Sequence, residues 1–169
     1  MSLAHFKDVF LHMEWADAIV WKAVNASGAA LQSEYILDTF FHIHEAQHSF
    51  LDAWCGRPLV RNKRSAFDSN DALRTWALTF HTSATEFLDT QTDEKLQQPF
   101  VLPWAHYYAR VIGHEPHETT MMEGIHQLVS HSMHHRSQII RKLRELDMAP
   151  PGTDYILWLW SGRPEPDWS

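Results

Sequence analysis

A single cysteine, Cys55, stands in a chain of 169 residues, so an internal disulfide is impossible and so is a cysteine-rich zinc site. Basic charge is also in short supply: 14 Lys+Arg face 21 Asp+Glu, for a net charge of −7. Nucleic acids and anionic membrane surfaces both need a basic footprint, so neither is expected as a partner. No apolar run approaches the roughly 20 residues that span a bilayer. The start, with His5, Lys7 and Asp8, does not look like a signal peptide, which makes the cytoplasm the expected compartment. There is no internal repeat and no low-complexity segment. The remainder, 21% charged and 44% apolar, is an ordinary globular composition at a length that suits one domain over residues 1–169.

Histidine is the residue in excess. There are 13, close to the number of Lys+Arg. Neutral imidazole is the commonest metal ligand, so the count directs attention to metal chemistry.

Apolar residues at helical spacing predict four long helices. The first runs from about His5 to Val24, with Phe6, Phe10, Met13, Ala16, Val20 and Val24 on one face. The second runs from about Ser33, a candidate cap, to Cys55, where Gly56 and Pro58 stop it. The third spans about Ser69 to Asp89, and the fourth about Glu118 to Leu146, ahead of Pro150-Pro151-Gly152. The segment Thr90 to His117 is too long for a tight turn and should fold back over the bundle. Within it, Phe100 to Leu102 and Tyr107 to Ile112 are candidate short strands. The apolar tail from Tyr155 to Trp160 must be buried, in the domain or against a second subunit. The expected class is an all-α four-helix bundle.

Three metal constellations compete. His44-Glu45-Ala46-Gln47-His48 spells H-E-x-x-H, two zinc ligands with a glutamate as base, but such a protease also needs a substrate-aligning sheet and none is evident. Glu14, Glu45-x-x-His48, Glu86 and Glu123-x-x-His126 fall one per helix, as in a di-iron carboxylate bundle. At about 100° per residue, however, Glu45 and Glu123 lie on the wet sides of their helices. The third set is His131-x-x-x-His135, an i,i+4 pair on one face of the fourth helix, joined by a histidine from the second. His135 lies in the apolar stripe, His131 on its shoulder, and His134 points away. Periodicity leaves the partner open: His42 has small neighbours, while His44 and His48 share the opposite shoulder.

The stretch from His131 to Ile139, HSMHHRSQI, resembles the H-x-x-x-H-R-G-Q-I motif of the DinB/YfiT-like metalloenzyme family. The likeness continues through Leu143-Arg144-Glu145-Leu146, Pro150-Pro151-x-x-Asp154 and the tail to Trp160. On the second helix His42-Ile43, Phe50-Leu51 and Gly56 keep the family's spacing, and Trp15-Ala16-Asp17 resembles its W-A-N. The resemblance implies an up-down-down-up four-helix bundle whose metal ligands are His42, His131 and His135. It also implies one divalent ion, zinc or nickel foremost, with iron or copper also suited to imidazole. Some relatives are thiol-dependent transferases or isomerases, so a small-molecule substrate and a low-molecular-weight thiol are the expected partners. Ser137, Asp147 and Gln47 depart from the family pattern, and none is a proposed ligand. Three imidazoles leave at least one open position, which suits a transferase or hydrolase. The rival is a non-catalytic bundle with a structural metal. No catalytic residue is assigned; His106 on the long loop is the candidate base. Eight tryptophans and the apolar tail predict a two-fold homodimer.

Overall fold

The computed structural model describes residues 2–169. Four long helices dominate: α1 (Leu3–Asn25), α3 (Glu34–Trp54), α4 (Asn70–Asp89) and α7 (Met121–Glu145). Short helices fill the connections: α2 (Gly28–Leu31), α5 (Asp93–Leu96), α6 (Ala109–Ile112) and α8 (Tyr155–Trp160). The helix ends follow local chemistry. The Ser2, Ser69 and Thr120 hydroxyls accept from the backbone N–H three residues on, and Glu123 completes a capping box with Thr120. Ser33 occupies the N-cap of α3 without a side-chain cap bond.

Pairwise contacts fix the topology. α1 runs antiparallel to α4, through Lys7–Asp89 and Asp17–His81. α3 runs parallel to α4, through His48–Trp76 and Trp54–Phe87. α3 runs antiparallel to α7, with His42 beside His135 at one end and Trp54 beside Gly124 at the other. The bundle is therefore up-down-down-up. Parallel neighbours cannot be joined by a tight turn, so residues 55–69 cross back along α3. Asn62 N donates to Glu45 Oε1 at 3.2 Å, and Arg64 pairs with Glu34 and Asp38 on the way.

The core has two apolar ends with a polar layer between them. One end packs Phe10, Met13, Trp54, Phe80, Leu88 and Leu128; the other packs Trp21, Ile36, Phe40, Leu73, Ile139 and Leu143. Between them lie Asp17, His44, Gln47, His81, Ser132 and Arg136, all buried.

The connection between α4 and α7 differs in part from the expectation. Phe100 does enter a strand, but the strand is only Pro99–Phe100, paired antiparallel with Thr119–Thr120. Tyr107 to Ile112 is helical turn, not strand: a 3₁₀ turn at Ala105–Tyr108 runs into α6, and Gly113 closes it at φ +81°. Among the described residues no long partner strand is within reach, so local helical bonds win. The tail forms α8, which buries Trp158 beside Trp15 and Ala16 but leaves Trp160 76% exposed.

α7 ends in a Schellman motif, with Met148 N donating to Leu143 O and Asp147 N to Arg144 O. Asp147 sits at φ 57°, the left-handed position that favours glycine. Asp147→Gly is expected to raise stability by about 0.5–1 kcal/mol, relief of left-handed strain outweighing the extra chain entropy. Urea unfolding at constant m-value checks it, and a loss of stability would contradict this account of the cap.

Candidate metal centre

Helical spacing places His131 and His135 one turn apart on α7, and the antiparallel neighbour α3 presents His42 to both. The His42 Nε2 lies 3.2 Å from the Nε2 of His131 and 3.2 Å from the Nε2 of His135. A neutral imidazole nitrogen either donates or accepts, so three converging Nε2 atoms cannot all be satisfied by one another. A central cation resolves the conflict. Zinc–nitrogen bonds of about 2.0–2.1 Å in a tetrahedral site put ligand nitrogens about 3.3–3.4 Å apart, close to the 3.2 Å that separates His42 Nε2 from each of the other two, so the spacing fits a metal ion. The His135 Nδ1–H donates to Gln138 Oε1 at 2.9 Å, which turns the Nε2 lone pair toward the centre. Gln138 is fixed in turn by donating its amide to His134 Nε2 at 3.3 Å. The Nδ1 of His131 is buried without a partner. Burial lowers the His42 pKa and takes that of His131 down to about 4, with the neighbouring imidazoles adding to both shifts. Both rings are therefore neutral at neutral pH, the form that binds metal.

The other constellations do not assemble. His44 is wholly buried, accepting from Trp21 Nε1 and donating Nδ1–H to Gln47 Oε1. His48 instead donates to the Trp76 carbonyl, so the H-E-x-x-H histidines face different surroundings. Glu123 is spent on its helix cap, Glu86 is exposed, and Glu14 accepts from Trp168. Among the described residues, the His42, His131 and His135 group is the one whose ligand atoms converge.

A cavity of about 680 Å³ opens beside the trio, and His42 and His131 form part of its wall. Residues Phe100 to Thr119 supply much of the rest, including Trp104, His106 and Tyr108. Trp104 is held edge-on to Phe50, with ring centroids 5.0 Å apart. Tyr107 instead faces solvent, 66% exposed.

Glu45 also lines this cavity, and here the helical wheel misled. The crossover segment covers what would be the wet side of α3. Glu45 is consequently half-buried: its Oε1 accepts from Asn62 N, and its Oε2 is buried without a partner. Burial pushes its carboxyl pKa up, against the pull of Asn62 and Arg61. Glu115 and Glu118, also on the wall, are exposed.

The sequence matches the DinB family model over residues 3–167. The chain belongs to the DinB family. It is also similar to the uncharacterized protein YizA of Bacillus subtilis (strain 168), 24% identical over 127 residues, covering 73% of this chain and 72% of that one. In this DinB chain the departures from the motif lie away from the three imidazole nitrogens. Ser137 is exposed and donates to the His134 carbonyl, Asp147 forms the cap of α7, and Gln47 belongs to the polar layer.

That polar layer was not anticipated. Gln47 Nε2 donates to Asp17 Oδ2 at 2.9 Å and to Ser132 Oγ at 3.3 Å. Arg136 Nε donates to Asp17 Oδ1 at 2.8 Å, and His81 Nε2 approaches Asp17 Oδ2 at 3.2 Å. Burial alone would raise the Asp17 pKa, but Arg136, His81 and His44 together hold it far below the usual carboxylate range. The layer backs the α3 and α7 segments that carry the trio. Asp17 was legible as a charged residue on the stripe Phe10, Met13, Asp17, Val20, Val24.

Proposed function

We propose that this DinB protein is a metal-dependent enzyme that holds one divalent ion through His42, His131 and His135 and acts on a small molecule in the adjoining cavity. The observation that carries the proposal is the convergence of three imidazole nitrogens, with His42 Nε2 3.2 Å from the Nε2 of both His131 and His135, beside a cavity of about 680 Å³ whose wall includes His42 and His131. That volume is in the range of small-molecule sites. A divalent ion bound there, zinc or nickel before iron or copper, would supply Lewis acidity that lowers the pKa of a thiol or water. The chain supplies the rest. Phe50, Phe100 and Trp104 make the wall apolar and displace water, and Gln138 orients His135. Glu45, half-buried on the same cavity wall with a raised pKa, is the residue that would accept the proton given up by the nucleophile. A low-molecular-weight thiol is the proposed co-substrate, by family resemblance. Among the described residues the convergent set is three imidazoles, and a three-histidine set with an open position is the arrangement expected of a catalytic rather than a closed structural site.

In cobalt-substituted protein, a small thiol such as 2-mercaptoethanol is expected to shift the visible spectrum. Glu45→Gln should keep the cobalt and require a higher pH for the same shift. An unchanged spectrum in folded protein would sink the thiol proposal, and an unshifted pH profile would remove Glu45 from it.

We further propose that the protein is a homodimer in the cytoplasm; among the described residues no helix is long and apolar enough to cross a membrane. Ile156, Leu157 and Trp160 of α8 remain exposed and offer an apolar contact. Light scattering at micromolar concentration should give twice the 19.7 kDa chain mass, and Trp160→Glu should give the monomer. A monomeric wild type would reject the dimer.

A further inference from the structure

A second cavity, about 260 Å³, lies on the other side of α7, between α1, α7 and α8. Its walls are apolar: Phe6, Val9 and Met13 from α1, and Val129 and Met133 from α7. The cationic side chain on the wall is Arg136, which is only 3% exposed. Its Nε is committed to Asp17 at 2.8 Å, while its Nη2 is buried and has no partner. Nearly all buried polar groups in proteins are satisfied, so an orphaned guanidinium nitrogen beside an apolar cavity calls for an acceptor. His12 does not compete for that role. Its Nε2 donates to the Thr153 carbonyl at 2.9 Å, so its ring closes the cavity instead. His5 and His126 lie at the exposed rim.

We infer that this cavity binds a small monocarboxylate with an apolar body, its carboxylate on the free part of the Arg136 guanidinium. One guanidinium edge already serves Asp17, so the remaining donors suit a monoanion. A phosphate dianion would need a second permanent cation beside it, and among the described residues Arg136 is the one such side chain on these walls. The volume is below that of drug-sized sites and restricts the body to a short chain or a single ring. The site is separate from the histidine trio, and the inference does not rest on bound metal.

Hexanoate is a suitable probe, with 1-hexanol as its uncharged counterpart. The experiment uses the full chain with EDTA present, so that no ion can ligate the carboxylate. Equilibrium dialysis is expected to show one saturable hexanoate site per chain. Hexanol should bind about tenfold to a hundredfold more weakly, the usual worth of a charge-assisted hydrogen bond. Val129→Phe and Val9→Phe fill the cavity from opposite walls without touching Arg136. Each should weaken hexanoate binding at least tenfold while leaving zinc binding, measured without EDTA, unchanged; the two variants guard against one of them failing to fold. Three results would overturn the inference: no saturable hexanoate binding, equal binding of hexanol, or hexanoate binding that survives in folded forms of both variants.

Discussion

His135→Ala is expected to remove the bound ion, while His134→Ala leaves it in place. The two residues are chain neighbours of the same type, so the comparison cancels general effects of losing a histidine. Only His135 aims Nε2 at the centre, 3.2 Å from His42; His134 serves as acceptor for Gln138. Protein purified without a His tag should carry about one divalent ion per chain, and His135→Ala close to none. The loss should also appear in stability. An ion at a hundred times its Kd stabilises the folded state by about 2.7 kcal/mol, and that increment should vanish in His135→Ala. Gln138→Ala should lie between, weakening affinity roughly tenfold to a hundredfold, because it frees the His135 ring without removing a ligand. Inductively coupled plasma mass spectrometry with thermal melts in added zinc measures both effects. Equal metal loss in His134→Ala and His135→Ala would reject the assignment on α7.

The long helices were readable because their apolar residues recur at helical spacing and their ends carry local signals. Ser69 and Gly56 mark ends from the sequence alone, and the structure uses both. The α7 pair was readable for the same reason, since an i,i+4 spacing has one geometric meaning on a helix. The α3 partner was not. Choosing among His42, His44 and His48 requires knowing which neighbour each face meets, and periodicity says only how faces relate within one helix. The family motif supplied that choice, and the structure brings His42 together with His131 and His135. Glu45 shows the converse error. Its wheel position marks it as wet, but the 55–69 crossover, forced by the parallel α3–α4 pairing, covers that face. The Tyr107–Ile112 segment is helical although its residues favour strand, because a short run cannot form a strand without a partner. Of the polar layer, Asp17 was visible as a charge on an apolar stripe, while Gln47, His81 and Arg136 look ordinary alone. Only long-range packing brings Asp17, Gln47, His81 and Arg136 into one cross-section of the bundle.

Asp17→Ala is expected to destabilise the fold by about 3–5 kcal/mol, the usual cost of removing one partner of a buried ion pair. Asp17 is 2% exposed and receives bonds from Arg136 and Gln47, with His81 beside it. Its removal strands the Arg136 charge, which is 3% exposed and already has one unpartnered nitrogen. Arg136→Met should cost a similar amount by stranding the carboxylate. The double variant should cost clearly less than the two single losses added together, because each single change leaves an uncompensated charge that the pair of changes removes. Urea unfolding of the four proteins in EDTA measures the coupling; simple additivity would mean that the pair is not a unit. The layer also sets a pH response. His44 has its folded-state pKa lowered to about 4 from the ordinary 6.5, chiefly by burial. The unfolded chain therefore binds that proton first, and stability falls as pH drops through the window from about 6.5 to about 4. Asp17 acts lower. Its stabilisation is complete above its unfolded pKa and is lost as pH falls below the ordinary carboxylate range. Wild-type stability in EDTA should therefore decline in two stages on acidification, and Asp17→Asn should lack the lower one. If Asp17→Asn tracks the wild-type acid limb throughout, Asp17 is not the carboxylate that holds the centre of the bundle together.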